Sequence, residues 1–200
     1  SGKTVSFSGL GEASHTVHIR AADAAGNMAT PSDVNIKYDA SAPSMGTVTV
    51  SNSANSSTTY TNGSAVLKAA ATDPNGTDGS GIASYAYQID SGAWIDVTPA
   101  EAASGKTISF SGLGEASHTV HIRATDAAGN NASPSDVSIK YDGSAPTMGT
   151  VSVTNSTNAS TTYTNGSAVL KAAATDPNGT DGSGIASYSY QIDSGAWVDV

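Results

Sequence analysis

Cysteine is absent from this chain of 200 residues. No disulfide can staple it, so stability must come from apolar cores and from any bound metal. Charge is scarce and one-sided, with 8 basic against 17 acidic side chains and a formal net charge of -9. The basic residues are Lys3, Arg20, Lys37, Lys68, Lys106, Arg123, Lys140 and Lys171, scattered along the chain. Phosphate contacts need clustered Lys and Arg, so no nucleic acid partner is expected. No apolar run approaches about 18 residues, so no membrane insertion by a helix is expected. No secretory leader is visible. No long segment places apolar residues at the helical period, so helices should be nearly absent.

What the chain has in abundance is itself. Residues 1–97 recur as residues 104–200, a shift of 103, with 13 of the 97 pairs differing. Ser1-Gly2-Lys3-Thr4 returns as Ser104-Gly105-Lys106-Thr107, Tyr38 as Tyr141, Asp73 as Asp176 and Trp94 as Trp197. Self-similarity at a long fixed period marks a repeat array. Each period of about 103 residues is long enough for one modest core.

The chain falls six residues short of two full periods, and the missing piece corresponds to Thr98-Pro99-Ala100-Glu101-Ala102-Ala103, a stretch that reads as a loop. The chain therefore looks like a piece of a longer protein. The domain seams lie at Tyr38-Asp39-Ala40-Ser41-Ala42-Pro43 and Tyr141-Asp142-Gly143-Ser144-Ala145-Pro146, where proline stiffens a short linker. The expected organisation is the C-terminal half of one domain with its linker (1–42), a complete domain with its linker (43–145), and the N-terminal half of a third (146–200). A half-domain cannot bury its apolar face alone. The two terminal halves are therefore expected to be complemented by a neighbouring molecule, residues 147–200 of one chain completing residues 1–38 of the next.

Within a period, apolar residues alternate with period two, the mark of half-buried strands. The runs are Val48 and Val50; Ala65, Leu67, Ala69 and Ala71; Tyr85, Tyr87 and Ile89; Trp94 to Val97; Ile108 and Phe110; Val120, Ile122 and Ala124; and Val137, Ile139 and Tyr141. Seven short strands joined by Gly, Asn and Asp turns predict an all-β, immunoglobulin-like antiparallel sandwich.

Most acidic residues sit at strand ends. The second strand is followed by Asp73-Pro74-Asn75-Gly76-Thr77-Asp78-Gly79-Ser80-Gly81, and the sixth by Asp126-Ala127-Ala128-Gly129-Asn130. In a seven-strand sandwich both loops lie at the end where the preceding linker arrives. Asp73, Asp78, Asp126 and Asn130 should thus gather beside Asp39, with Glu12 approaching from the previous domain; Asp142 and Glu115 hold the matching places one period on. Any one of these residues alone reads as an ordinary turn former. Three segments converging on one seam read as a metal site. Its ligands would be carboxylates and backbone carbonyls without His or Cys, a hard oxygen set that suits calcium better than zinc. For Glu12 and Glu115, ligation and plain surface charge both stand.

Other chemistry fails on pattern. Gly105-Lys106-Thr107 lacks the upstream glycine of a phosphate-binding loop, since position 100 is Ala, and reads as a strand start. His118 and His121, like His15 and His18, are three apart on a strand and point to opposite faces, which makes them surface histidines rather than a metal pair. No serine sits in a nucleophile elbow and no carboxylate pair has a cleft. No catalytic constellation is found, so the chain is not expected to be an enzyme.

Asp78-Gly79-Ser80-Gly81-Ile82 ahead of a Tyr-rich strand, the run from His118 to Asn130 (His-Thr-Val-His-Ile-Arg-Ala-Thr-Asp-Ala-Ala-Gly-Asn), and the Asp-x-Ser-Ala-Pro linkers together resemble the tandem immunoglobulin-like repeats of very large bacterial surface adhesins. These include the repeats-in-toxin and biofilm-associated types. The resemblance covers the whole chain. It implies a structural extender that projects a distant binding domain from the cell surface, with calcium at the linkers stiffening the array, neighbouring repeats as partners, and export by a type I system. Carried over residue by residue, it supports Asp39, Asp73, Asp78, Asp126, Asn130 and Asp142 as ligands, and adds Asp23, Asn27, Asp176 and Asp181. The Gly-Gly-x-Gly-x-Asp nonapeptide is not present. A second reading is a glycan-binding or self-associating adhesive module, for which Trp94, Tyr60 and Tyr163 would form an aromatic platform.

Overall fold

A computed structural model describes residues 2–200. It is mostly β, 45% strand against 3% helix, with antiparallel sheets. The strands of the first half are β1 (Ala13–Ile19), β2 (Ser32–Tyr38), β3 (Ser44–Asn52), β4 (Tyr60–Thr61), β5 (Ser64–Thr72), β6 (Ile82–Ile89) and β7 (Ile95–Val97). A short helix α1 (Pro99–Ser104) leads into β8 (Lys106–Ser109), β9 (Ser117–Asp126) and β10 (Ser135–Tyr141). The remainder forms β11 (Thr147–Asn155), β12 (Ala168–Thr175), β13 (Ser189–Tyr190) and β14 (Val198–Asp199). Sheet order is β4-β10-β9-β6-β7 in the largest sheet and β3-β5-β8 in the next, with β1-β2, β11-β12 and β13-β14 as pairs. No helix among the described residues is long and apolar enough to cross a membrane.

The residues gather into two compact units. One takes the described part of Ser1–Val50 with Val66–Thr107 and Thr119–Val137; the other takes Ser51–Ala65, Ile108–His118 and Ser138–Val200.

In the first unit β6 runs antiparallel between β9 and β7, with Tyr85 opposite Ala124 and Val97, and Tyr87 opposite Ile122 and Ile95. Alternation puts Leu67, Tyr85, Tyr87, Val97, Val120, Ile122 and Ala124 in the core. The strands β1 and β2 form a seven-pair antiparallel ribbon from Ala13 opposite Tyr38 to Ile19 opposite Ser32.

In the second unit Ala65, Ile108, Phe110 and Ile139 are buried. Two-residue β4, absent from the sequence reading, pairs in parallel with the end of β10. The strands β11 and β12 pair antiparallel, with a register shift between Met148 and Val151.

Two expectations are corrected. Residues 98–103, read as a loop, hold α1: Pro99 opens the helix, the Thr98 hydroxyl accepts from the Glu101 N–H, and the Glu101 carboxylate accepts from the Thr98 N–H. That reciprocal pair is a capping box, enough to hold one turn and a half. His118, read as a surface residue, is buried: its ring centroid lies 5.8 Å from that of Phe110 and 6.5 Å from that of Tyr141. It shares the core-facing parity of Val120 and Ile122 on β9, while His121 faces the other way and meets Asp136 at 2.6 Å. The expected strand start at Lys106 is observed.

Candidate metal centre

The same parity rule builds the acidic centre. In β9 the buried positions run from His118 through Val120, Ile122 and Ala124 to Asp126, so the core-facing row ends on a carboxylate. In β5 the inward row Ala65, Leu67, Ala69 points on to Asp73, the first residue after the strand. Asp39 follows the last residue of β2. One carboxylate oxygen from each of Asp39, Asp73 and Asp126 lies within 4.8 Å of the others; Asp39 and Asp126 are buried and Asp73 half-buried. This buried group could hold a metal ion.

Backbone and hydroxyl donors hold the three side chains in place. Asp39 accepts from the Ser80 N–H at 2.7 Å and the Ser41 N–H at 3.2 Å. Asp73 accepts from the Gly81 N–H at 2.6 Å and the Asn75 N–H at 3.3 Å. Asp126 accepts from the Asn130 N–H and from the Asn130 side-chain amide, both at 2.8 Å. The Asn130 amide also donates to the Asp39 carbonyl at 3.2 Å, tying the linker to the loop after β9. Gly79 stands so close to Asp73 that a Cβ there would collide with the carboxylate. The Ser80 hydroxyl and N–H hold the Asp39 carboxyl below the usual carboxylate range, outweighing its burial.

Among the described residues no Lys or Arg pairs with any of the three carboxylates. Two unit charges about 4.8 Å apart repel by roughly 3 kcal/mol at an effective dielectric near 20. A cation would turn that repulsion into attraction. The donor set is oxygen throughout, with neither imidazole nor thiolate.

Of the other sequence-predicted residues, Glu12 and Asn130 hydrogen-bond to the linker beside this group, and the rest lie outside it. Glu12 accepts from the Ala40 N–H at 3.1 Å and from the Ser41 hydroxyl at 2.8 Å, and also from the Asn75 amide, so it clasps the linker. Asp78 is exposed on the loop and outside the group of three. Asp23 and Asn27 form a separate exposed loop, Asp23 accepting from the Asn27 N–H and side-chain amide at 2.8 Å each.

In the second unit the bonding repeats at a shift of 103. Asp142 accepts from the Ser183 N–H at 2.6 Å and Asp176 from the Gly184 N–H at 2.7 Å. Glu115 accepts from the Gly143 N–H, the Ser144 hydroxyl and the Asn178 amide. Asp181 faces Lys140 at 3.9 Å. Burial pushes the Asp142 carboxyl up, but the Ser183 hydroxyl and N–H and the Asn178 amide leave it below the usual range.

Sequence reasoning missed Ser41, Asn75 and Ser80, the donors that orient the carboxylates. Their only signal was position, each lying one to three residues from a named Asp or from the linker proline. Of the aromatic candidates, Trp94 is half-buried beneath the Arg123 guanidinium, 4.3 Å from the ring centroid, and Lys140 lies over Tyr60.

No known protein family matches the chain. No curated protein matches it.

Proposed function

We propose that the chain belongs to a structural extender of a bacterial cell-surface adhesin. In this reading it is an array of immunoglobulin-like β-sandwich repeats, and calcium at each linker stiffens the array outside the cell. Its partners are neighbouring repeats, and it performs no catalytic step.

The observation that carries this reading is the convergence of Asp39 with Asp73 and Asp126 within 4.8 Å. Asp39 belongs to the segment between β2 and β3, while Asp73 directly follows β5 and Asp126 is the last residue of β9. A cation shared by the three ties a linker to two loops, which is how an ion restricts a hinge. Extracellular calcium modules work at dissociation constants of about 0.1–1 mM. Without calcium the carboxylates repel and the linker loosens; with it the folded, aligned form is favoured by mass action, by about 2.7 kcal/mol when calcium reaches 100 times its dissociation constant.

Small-angle scattering and calorimetry of the chain in calcium and in chelator test the reading. The expected result is a longer maximum dimension, a narrower distribution of sizes and a higher melting temperature with calcium. Identical profiles in both buffers would refute stiffening by calcium.

A further inference from the structure

The ribbons β1-β2 and β11-β12 each expose an apolar face whose counterparts are buried elsewhere in the same chain. Ile19 is 60% exposed and Ile36 47%, whereas Ile122 and Ile139, the same residues one period on, are 1% exposed. Val153 is 53% exposed and Leu170 38%, against 1% for Val50 and Leu67. Strand content follows the same split. Eight-residue β6 pairs with β9, but its counterpart region keeps only Ser189–Tyr190 as strand. The described residues of 3–6 form no strand, while 106–109 form β8.

The total exposed area gives the scale. The chain exposes 12454 Å² for 19.8 kDa. A compact body of that mass exposes about 8600 Å², and two equal bodies sharing it about 10400 Å². The excess of roughly 2000 Å² matches the area a stable protein–protein interface buries.

We infer that the two open faces are complementary, and that their occupant is a second copy of this chain: residues 1–38 of one molecule dock on residues 147–200 of another. The fit is already written in the chain. Residues 147–200 repeat 44–97 and residues 1–38 repeat 104–141. Strand β6 of the first segment pairs with β9 of the second, Tyr87 opposite Ile122 and Ile89 opposite Val120. The intermolecular register follows: Tyr190 opposite Ile19 and Ile192 opposite Val17. The contact is head-to-tail, so it does not close at two copies but propagates. In a longer polypeptide, flanking copies of the same sequence would supply the same strands. The inference requires no metal and stands apart from the calcium reading.

Sedimentation velocity of the 200-residue chain over a wide concentration range, in chelator and in calcium, tests it. The expected result is a series of multiples of 19.8 kDa whose mean mass rises with concentration. Two variants identify the contact: Ile19→Asp/Ile36→Asp spoils one face and Val153→Asp/Leu170→Asp the other. All four residues are already exposed, so the buried core is untouched. Each variant alone should be monomeric, and a mixture of the two should stop at dimers through the faces left intact. A wild-type chain monomeric at every concentration would overturn the inference, as would single-face variants that still associate with themselves or a mixture that fails to pair.

Discussion

Three carboxylates held together, with no Lys or Arg among the described residues paired to them, can be neutralised by protons or by a metal. Asp39 shows which is favoured near neutral pH. Its carboxyl is held below the usual range by the Ser80 hydroxyl and N–H, so folding favours the charged form. The stability this contributes is complete above the unfolded-state value and is lost as pH falls through the lower folded value. Protons compete with the cation in the same window, so calcium affinity should fall steeply below about pH 4, read by titration calorimetry across pH. Replacing Asp126→Asn removes one charge from the ligand set and should weaken calcium binding on the order of 10- to 100-fold. Asp78→Asn, on the exposed loop, should cost less. At Gly79 the constraint is space: a Gly79→Ala methyl would meet the Asp73 carboxylate, so the variant should lose affinity while the buried core keeps its packing. An unchanged dissociation constant for Asp126→Asn would remove that residue from the centre.

At the scale of elements, period-two alternation made the strands legible, and it also explains what was missed. Asp73 and Asp126 were named from sequence because they stand at the ends of the second and sixth predicted strands, and parity along β5 and β9 accounts for their facing inward. Applied to β9 without regard to polarity it would also have buried His118, on the same face as Val120. Ser80 and Asn75 were illegible, because every Asn, Ser and Gly of a turn-rich chain offers the same local chemistry. The helix α1 escaped a periodicity search because six residues are too few to show one. Its signal was local instead, Thr98 and Glu101 around Pro99. Thr98→Ala should therefore cost about 1 kcal/mol of stability in urea denaturation. The Lys106 ammonium, with help from Thr98, lowers the Glu101 carboxyl to about 2. Its support for α1 is thus present above the ordinary glutamate range and lost only as pH drops toward that value.

For the whole molecule, sequence repetition supplied the period and, through it, the proposed register between terminal segments, whereas the proposed stiffening of the linkers depends on a bound ion. Calcium at the linker is the claim from which the extender reading follows. Calcium-soaked crystals measured for anomalous scattering test it most directly. The expected result is a peak with oxygen neighbours at about 2.3–2.6 Å, supplied by the carboxylates of Asp39, Asp73 and Asp126. Density at this position showing only water, at calcium concentrations well above the millimolar range, would contradict it.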